Sequence, residues 1–512
     1  MTESTRVVME PMDEHNQQLV DYVHPADWVN PEPQPMYNMV VIGGGTAGLV
    51  TAIAAASLGA KAALVERHMM GGDCLNVGCV PSKCLISSSR IAADMRDGDR
   101  FGVRVNGSID VDFGAVMERL RKLRAGISHV DSAQRFQDSG VDIFLGEGKF
   151  AGPDTIEVAG KTLRFKKATI ATGARAVTLP IEGLKEAGAL TNETVFSLTE
   201  RPDRLAVIGA GPIGCELAQA FQRLGSQVTV LEMMPQILGR EDQDAAKIVQ
   251  AQMERDGVQF ILGCKTNRVT VEGSDKVIHI EVDGKEETVR ADEILIGVGR
   301  TPNVEGLNLE GVGVKYDPRT GVKVNDFLET TARNIYAAGD ICMAWKFTHA
   351  ADFAAQIVIQ NALFSVGFLG KKRLSSLTMP WCTYTHPEVA HVGLYEPEAR
   401  KRGIEVDTFV QPMNEVDRAI VEGEDEGFVK VHVAKGSDKI VGATIVAKNA
   451  GDLISEISVA MVNGVGLKGI AGTIHPYPTQ ADALRKVGLL YNKTRLTPGV
   501  KKWMERWMAF RR

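Results

Sequence analysis

A repeated glycine pattern constrains this chain more than any other feature of the sequence. Each copy follows a short apolar run, and the glycines are Gly43, Gly45 and Gly48 in the first copy and Gly209, Gly211 and Gly214 in the second. The interval from each glycine to its counterpart is constant, and Glu66 recurs as Glu232 at the same interval. One such triad would predict only a turn between a strand and a helix. Two triads related by one interval predict two copies of a single βαβ unit.

Both units have the chemistry of a dinucleotide site. Glycines let the backbone approach a pyrophosphate at the N-terminus of a helix, and an acid at the end of the second strand accepts hydrogen bonds from ribose hydroxyls. Glu66 and Glu232 stand at that position. Two bound dinucleotides in one chain are typical of an oxidoreductase that passes electrons from one to the other.

Strand and helix patterns alternate up to about residue 375, which predicts parallel sheets with crossover helices. A predicted hairpin, Phe428–Val433 with Ile440–Val446, and two helical patterns follow. The predicted fold class is therefore α/β, with two Rossmann-like dinucleotide-binding domains and a C-terminal α+β domain. The predicted divisions are a surface arm (1–37), the first dinucleotide domain in two parts (38–190 and 316–372), the second dinucleotide domain (191–315), the α+β domain (373–490) and a basic aromatic tail helix (491–512).

Charge and composition exclude several classes of protein. A net charge of −6 gives no basic footprint for nucleic acid, and seven cysteines in 512 residues are too few for a disulfide-stapled domain. The uncharged stretch Met39–Ala60 is long enough for a membrane span, but the glycine turn interrupts it. The preceding residues lack the positive charge of a secretory signal, so a cytoplasmic location is expected.

Three cysteines lie between the glycine triads, and the first two are Cys74 and Cys79. Cys74 and Cys79 stand among Gly, Asn, Pro and Ser, which disfavours a role as small buried hydrophobes. No second Cys/His pair at ligand spacing follows, which disfavours a zinc site. A helix start and a nearby cation both stabilise a thiolate, and Lys83 lies one helical turn after Cys79. The segment therefore predicts a redox-active thiol pair.

This segment resembles the G-G-T-C-x-N-x-G-C-x-P-S-K signature of the pyridine nucleotide–disulfide oxidoreductases, which include dihydrolipoamide dehydrogenase, glutathione reductase and mercuric reductase. Further motifs match over roughly residues 39–490, namely Ala171-Thr172-Gly173, Gly299-Arg300-Thr-Pro302-Asn303, Ala337-Ala338-Gly339-Asp340 and His386-Pro387-Glu388-Val389-Ala390. The resemblance implies a homodimeric flavoenzyme whose C-terminal domain mediates dimerisation. In such an enzyme, electrons pass from NAD(P)H through FAD and a Cys74–Cys79 disulfide to a small-molecule or protein disulfide, or to a thiophilic acceptor.

The resemblance also assigns residues to the cofactors. Cys79 would face the flavin, Cys74 would attack the substrate, and Lys83 would pair with Glu216 near the flavin. The residues implied in FAD binding are Gly43, Gly45, Gly48, Glu66, Lys83, Gly148, Thr172, Gly173, Asp340, Lys346, Phe347, Thr348 and His349, where the last four begin a helix whose positive end would face the flavin. Those implied in binding the nicotinamide cofactor are Gly209, Gly211, Gly214, Glu232, Val269 and Gly299.

We expect NADH to be preferred over NADPH. Glu232 would accept hydrogen bonds from both ribose hydroxyls of NADH and would repel the 2′-phosphate of NADPH. No Arg or Lys follows until Arg240. In the alternative, Glu232 points to solvent and Arg240 folds back toward the phosphate.

The chain departs from the family near its C-terminus. Disulfide reductases of the family carry a His and a Glu that reach into the partner's site, whereas this sequence has Tyr477 and Asp482. A phenol is a poor general base at neutral pH, and His475 could compensate only with a backbone shift. Mercuric reductases are similar in having Tyr there, but they also carry a C-terminal cysteine pair, and no cysteine follows Cys382 here. Reduction of Hg(II) is therefore expected to be inefficient.

The remaining features leave alternatives open. Cys84 is either a packed thiol or a third redox thiol, and core or near-core positions are predicted for Cys215, Cys264, Cys342 and Cys382. The tail with Trp503, Trp507 and Phe510 either packs on protein, as a dimer-covering helix, or lies on a membrane surface. No resident metal is predicted. Two other functions stay open: a non-enzymatic flavoprotein redox sensor and a membrane-surface NADH:quinone reductase.

Overall fold

The computed structural model describes residues 9–512, and these carry fifteen α-helices. In chain order they are α1 Glu14–Val23, α2 Thr46–Ser57, α3 Gly72–Asn76, α4 Cys79–Arg96, α5 Phe113–Ser128, α6 Ala133–Asp138, α7 Pro212–Arg223, α8 Gln243–Arg255, α9 Thr348–Ile359, α10 Glu396–Lys401, α11 Asp417–Val421, α12 Ala450–Val462, α13 Leu467–Gly472, α14 Asp482–Thr494 and α15 Pro498–Phe510. Across the described residues, every helix is too short or too polar to cross a membrane.

The strands of the described residues are mostly short. In chain order they are β1 Tyr37–Ile42, β2 Ala62–Glu66, β3 Val141–Leu145, β4 Gly148–Gly152, β5 Thr155–Val158, β6 Lys161–Ile170, β7 Ala174–Ala176, β8 Arg204–Ile208, β9 Gln227–Glu232, β10 Gln259–Leu262, β11 Lys265–Glu272, β12 Asp275–Val282, β13 Lys285–Ala291, β14 Glu293–Ile296, β15 Arg300–Pro302, β16 Tyr316–Asp317, β17 Gly321–Val322, β18 Ile335–Ala337, β19 Pro380–Thr383, β20 Glu388–Gly393, β21 Val406–Pro412, β22 Phe428–Ala434 and β23 Ile440–Ala447.

The first of two compact units comprises the chain up to Gly209 together with Ala220–Met233 and Cys264–Leu377. Its main sheet has β3, β2, β1, β6 and β18 side by side, and all of these neighbours are parallel. Strands β4 and β5 continue from β6 in antiparallel pairing. The inner strands β1 and β2 are buried almost throughout, which is why they read as uninterrupted apolar runs. The predicted strand, glycine turn and helix over residues 39–60 are confirmed.

The predicted duplication is confirmed in the backbone. Strands β8 and β9 pair in parallel, as β1 and β2 do, and β14 lies on the other side of β8. The first glycine of each triad uses its N–H in the same way. Gly43 donates to the carbonyl oxygen of Val65 at 2.8 Å, and Gly209 donates to that of Leu231 at 2.8 Å. Leu231 follows Val65 at the same interval as Gly209 follows Gly43, so the two βαβ copies share one turn geometry.

The prediction of a surface arm over residues 1–37 is wrong for helix α1, and the first eight residues lie outside the part of the chain that the structure describes. Helix α1 packs against α5, and the side chains of Leu19 and Val23 are fully buried. Arg121 of α5 forms an ion pair with Asp13, which caps α1. The amphipathic spacing of α1 was present in the sequence, but the polar composition of the segment obscured it.

The second unit comprises Ala210–Gln219, Met234–Gly263 and Thr378–Arg512. Its sheet has the order β19-β20-β23-β22-β21, and every pair is antiparallel. The predicted hairpin is confirmed as β22 and β23, and the two predicted helical segments fall within α12 and, from Asp482 onward, α14. These helices pack on the sheet and enclose an apolar core. The α+β character of the C-terminal part is therefore confirmed, while the domain boundaries stay predictions.

Candidate redox site

Two helices hold the predicted thiol pair. Cys74 lies in α3, and α4 begins at Cys79 directly after Gly78. A Cβ on Gly78 would lie 2.7 Å from the carbonyl oxygen of Asp73, so the tight turn between the cysteines requires glycine. The predicted helix start at Cys79 is confirmed, and this cysteine stands at the positive end of an 18-residue helix, which stabilises a thiolate.

The two sulfurs interact with each other and with the start of a further helix. Both residues are thiols, and the Cys74 side chain hydrogen-bonds with Cys79 and Thr348. The Sγ atom of Cys79 lies 3.4 Å from Oγ1 of Thr348, the first residue of α9. The hydrogen bond with Cys79, followed by burial, holds the pKa of Cys74 well above its usual range. In this reduced pair Cys74 therefore keeps its proton, while the N-termini of α4 and α9 meet at Cys79.

The residues predicted to face the flavin lie at and just before the start of α9. Lys346 donates from Nζ to the carbonyl oxygen of Asp340 at 2.9 Å. The ring of Phe347 stacks on that of His349, with centroids 5.3 Å apart and planes inclined by 6°. Since Thr348 contacts Cys79, the structure brings the thiol pair, the Asp340 motif and the α9 start into one site.

A partly buried arginine links the thiol segment to this motif. Arg300 donates to the carboxylate of Asp73 and to the carbonyl oxygen of Ala174 at 2.6 Å, and its Nε lies 3.3 Å from Asp340. Burial lowers the pKa of Arg300, but the two carboxylates outweigh burial and the net shift is upward. The family signature has Thr where this chain has Asp73, so sequence reasoning had a signal for this ion pair and missed it.

The first glycine turn adjoins the thiol pair. A Cβ on Gly72, two residues before Cys74, would lie 2.6 Å from the Cα of Gly45, so the two loops touch backbone to backbone. A Cβ on Gly48 would lie 1.8 Å from the carbonyl oxygen of Gly43. These contacts leave no room for a side chain at Gly48 or Gly72, so only backbone surrounds the turn that leads into α2, as the approach of a pyrophosphate to a helix N-terminus requires.

A buried carboxylate completes the first turn. Glu66 ends β2, and its two oxygens accept hydrogen bonds from the N–H of His68 at 2.6 Å and from the N–H of Gly44. Burial raises the pKa of Glu66, and the two backbone donors oppose that rise. Each carboxylate oxygen retains a further lone pair for ribose hydroxyls. The turn and this carboxylate together fit the adenosine and pyrophosphate parts of FAD.

Further predicted cofactor residues lie on the same sheet or its loops. A Cβ on Gly148 would lie 2.8 Å from Cγ1 of Val65, which places this glycine at the end of the parallel strands. Thr172 donates from Oγ1 to the carbonyl oxygen of Asn303 at 2.8 Å, and Gly173 adopts a left-handed backbone with φ of 67°. The Ala-Thr-Gly and Gly-Arg-Thr-Pro-Asn motifs are therefore joined in the first unit.

The second dinucleotide fold divides between the two units. The first unit contains Gly209, Glu232 at the end of β9, Val269 in β11 and Gly299 after β14. Gly209 has φ of 102°. The amide of Val269 donates to the carbonyl oxygen of Glu182 at 2.8 Å. Gly211 and Gly214 belong to the second unit, at the start of α7. The cofactor roles of these residues stay predictions.

Lys83 and Glu216 also belong to different units, and their predicted pairing stays a prediction. Lys83 lies on α4, with Nζ 3.4 Å from Oγ of Ser82. Glu216 lies on α7, and its Oε1 accepts a hydrogen bond from the N–H of Tyr384 at 2.9 Å.

Tyr477 stands at the position of the family's missing histidine, and its side chain is 74% exposed. Its hydroxyl donates to Oδ2 of Asp417 at 2.8 Å, and this hydrogen bond raises the pKa of Tyr477. Asp482 instead accepts a hydrogen bond from Arg485 at 2.7 Å. The structure therefore pairs Tyr477 with Asp417, a residue that no motif singles out because it lies 60 positions away.

His475 is held by two contacts of its own. Its Nε2 lies 2.9 Å from Oε1 of Glu456, and its Nδ1 lies 3.0 Å from the carbonyl oxygen of Thr473. With an oxygen next to each ring nitrogen, His475 would have to leave both contacts before it could replace the missing histidine.

Comparison with known proteins gives the same family over most of the chain. The family model for pyridine nucleotide-disulphide oxidoreductase matches residues 37–355, and the model for the dimerisation domain of these enzymes matches residues 379–487. The mercuric reductase of Lysinibacillus sphaericus is 34% identical over 457 residues, which are 89% of this chain and 83% of that protein. The dihydrolipoyl dehydrogenase of Bacillus subtilis is 32% identical over 472 residues, covering 88% of this chain and 97% of that protein.

Solved structures agree with these relatives. The HOCl-induced flavoprotein disulfide reductase RclA from Escherichia coli superposes with a TM-score of 0.78 at 26% identity, covering 89% of this chain and all of that one. The two matching family models cover the glycine turns, the thiol pair and the C-terminal sheet, and both relatives align along most of their length. This chain belongs to the pyridine nucleotide-disulphide oxidoreductase family.

Proposed function

We propose that this protein uses NADH to reduce a disulfide or a thiol-bound metal ion through the thiols of Cys74 and Cys79. The family is FAD-dependent and uses NAD(P)H. The observation that carries the proposal is the placement of the thiol pair between the first glycine turn and the start of α9. When bound, FAD would take a hydride from the nicotinamide and supply two electrons to the oxidised pair.

The two thiols have different tasks in this proposal. Cys79 contacts Thr348 and lies at two helix N-termini, where a thiolate is stabilised, so it faces the flavin. Cys74 attacks the acceptor after its proton has passed to the Cys79 sulfur, with which it shares a hydrogen bond. With a disulfide acceptor, the Cys74 sulfur displaces one thiolate and forms a mixed disulfide, and Cys79 then displaces the second thiolate. The acceptor gains two electrons and two protons, and the Cys74–Cys79 disulfide forms.

The dimerisation domain supports a homodimer. We propose that the partner subunit's Tyr477 completes the acceptor site. Because its hydroxyl stays protonated, this residue can donate a hydrogen bond to an acceptor once its single O–H turns away from Asp417, but it cannot remove a proton from a substrate dithiol at neutral pH. The arrangement therefore favours reduction of an acceptor over oxidation of a dithiol.

An acceptor panel tests the proposal on the FAD-loaded protein. Lipoamide, glutathione disulfide, Hg(II) with excess thiol, and quinones are each offered with NADH. Turnover of at least one sulfur-linked acceptor that exceeds turnover of every quinone is expected. Quinone reduction alone would contradict the proposal, and Hg(II) turnover equal to that of lipoamide would contradict the inefficiency expected from the missing cysteine pair.

Dihydrolipoamide oxidation tests the part played by Tyr477. With NAD⁺ as oxidant, the rate at neutral pH is expected to be low and to increase toward alkaline pH, because the pKa of the phenol is raised. Tyr477→His should increase the neutral-pH rate by about tenfold or more, since an imidazole is a competent base there. Tyr477→Phe serves as the control for loss of the hydroxyl alone. A Tyr477→His rate no higher than that of Tyr477→Phe would show that Tyr477 lies outside the acceptor site.

We expect the protein to prefer NADH over NADPH in kcat/KM by tenfold or more. Glu232 is half-buried at the end of β9, and the two side chains that follow, Met233 and Met234, carry no charge that could bind a 2′-phosphate. A like-charge contact in a partly desolvated pocket costs on the order of 2 kcal/mol. Glu232→Ala should therefore increase NADPH use, whereas Glu286→Ala, an exposed carboxylate on β13, should not. Equal kcat/KM values for the two cofactors in the unmodified protein would refute the role of Glu232.

A further inference from the structure

The tail helix α15 is exposed along its whole length. It begins at Pro498 behind Thr497, whose Oγ1 accepts a hydrogen bond from the N–H of Val500, and none of its residues is buried. Trp503 is 63% exposed and Phe510 is 81% exposed. The rings of Trp503 and Trp507 stack at 6.2 Å with planes inclined by 9°. A well-capped helix thus presents its aromatic residues to the surroundings.

The side chains of α15 separate into two faces. Successive side chains of an α-helix are about 100° apart around its axis. On this spacing, one side of α15 holds the apolar side chains Val500, Trp503, Met504, Trp507, Met508 and Phe510, with Arg511 among them. The opposite arc holds Lys501, Lys502, Glu505, Arg506 and Arg512. Large apolar and aromatic side chains opposite a basic face are the pattern of helices that lie in the plane of a membrane surface.

The charge of α15 indicates which partner its apolar face binds. Residues 498–512 carry five basic side chains and one acidic side chain, whereas the whole chain has a net charge of −6. Pairing of α15 with the α15 of a second copy would bring the two basic rims together, which is unfavourable. The helix also lies beyond residue 487, where the matched dimerisation domain ends. An anionic lipid surface accepts both the basic rim and the aromatic face.

We propose that α15 binds this protein to the surface of membranes that contain anionic lipid. The helix lies parallel to the surface, with Trp503, Trp507 and Phe510 at the level of the acyl chain boundary and Lys501, Lys502 and Arg506 among the headgroups. In a homodimer the two copies of α15 bind together, which strengthens an attachment that one short helix makes weakly. The attachment is independent of which acceptor the thiol pair reduces.

Co-sedimentation of the full-length FAD-loaded protein with vesicles tests the proposal. Vesicles of equal parts phosphatidylglycerol and phosphatidylcholine should bind the protein at least tenfold more tightly than vesicles of phosphatidylcholine alone. Molar salt should weaken that binding, because the Debye length falls to about 3 Å. The tryptophan emission should shift to shorter wavelength on binding to the mixed vesicles, as expected for indoles that leave water.

Two variants test separately how the basic face and the aromatic face of α15 contribute to vesicle binding. The triple variant Lys501→Gln, Lys502→Gln, Arg506→Gln should lose the preference for anionic vesicles, and Trp503→Ser, Trp507→Ser should lose at least tenfold in affinity and the emission shift. Removal of three exposed lysines elsewhere, Lys247→Gln, Lys285→Gln and Lys468→Gln, is the charge-matched control and should leave binding unchanged. NADH-dependent turnover in solution should be the same in all four proteins, which also verifies that they fold.

Three results would overturn the proposal. The first is absence of binding to the mixed vesicles, and the second is equal binding to both kinds of vesicle. The third is a fall in oligomeric state when the tryptophans are replaced, measured by sedimentation without lipid, because it would show that a second copy of this chain covers the face.

Discussion

Replacement of Cys74 by serine is expected to reduce NADH-driven turnover of disulfide and thiol-bound acceptors by about a thousandfold or more, because loss of a covalent nucleophile typically removes several powers of ten in rate. Serine keeps the size and a hydrogen-bonding group, so the contact with Cys79 can persist. The variant should still be reduced by NADH, since Cys79 and the glycine turn are unchanged. Steady-state turnover and anaerobic reduction by NADH, measured on the same preparation, separate these two effects.

The absorbance spectrum distinguishes the two thiols. A thiolate next to an oxidised flavin gives a long-wavelength charge-transfer band, and we expect the two-electron-reduced protein to show it. The band should be present in Cys74→Ser and absent in Cys79→Ser, because Cys79 is the thiol at the N-termini of α4 and α9. Cys84→Ser is the matched control on α4 and should retain both the band and turnover. A band that survives in Cys79→Ser would reverse the assignment.

The same variants decide between the proposed function and its alternatives. A quinone reductase needs no thiol, so steady quinone turnover by Cys74→Ser at the rate of the unmodified protein would favour that function. A redox sensor needs the thiol pair but no substrate, so absence of turnover with every acceptor in the unmodified protein would favour a sensor. Only the proposed reductase loses turnover of a sulfur-linked acceptor while NADH still reduces the variant.

Sequence alone predicted the features whose geometry depends on residues that are close together in the chain. In both copies the first glycine connects a strand to a helix. Gly43 and Gly209 therefore donate equivalent backbone hydrogen bonds, each to the residue at the same position in its own copy. The helix start at Cys79 follows from Gly78 and the Pro and Ser beyond it in the same local manner. Patterns within one supersecondary unit therefore translate directly into structure.

The features that sequence missed depend on residues brought together from afar. Arg300 and Asp73 are 227 positions apart, and Tyr477 and Asp417 are 60 apart. No periodicity or motif spacing relates the members of either pair. For Asp73 the departure from the family's Thr was a visible signal without an identifiable partner. The N-terminal helix α1 was missed for a similar reason, because the surface of α5 that covers its apolar stripe cannot be seen in the segment itself.

Glycine replacements in the first turn should separate folding from cofactor binding. An alanine at position 48 would place its Cβ 1.8 Å from the carbonyl oxygen of Gly43, and no side-chain rotation can relieve a clash with backbone. We expect a loss of about 3 kcal/mol or more in the stability of the apoprotein, at the upper end of overpacking effects. The purified variant should therefore melt at a lower temperature without FAD and should contain little of the cofactor.

Gly45→Ala provides the contrast within the same turn. Its Cβ would meet nothing closer than the Cα of Gly72 at 3.7 Å, an ordinary contact, so the apoprotein should keep its melting temperature. The same methyl would stand where the backbone must approach the pyrophosphate, so FAD should bind at least tenfold more weakly. Gly126→Ala on the exposed face of α5, where nothing lies within 4 Å of the new Cβ, should be neutral or stabilising and should retain FAD. If Gly45→Ala binds FAD as tightly as Gly126→Ala does, the pyrophosphate does not lie on this turn, and the fit of FAD to the first glycine triad is wrong.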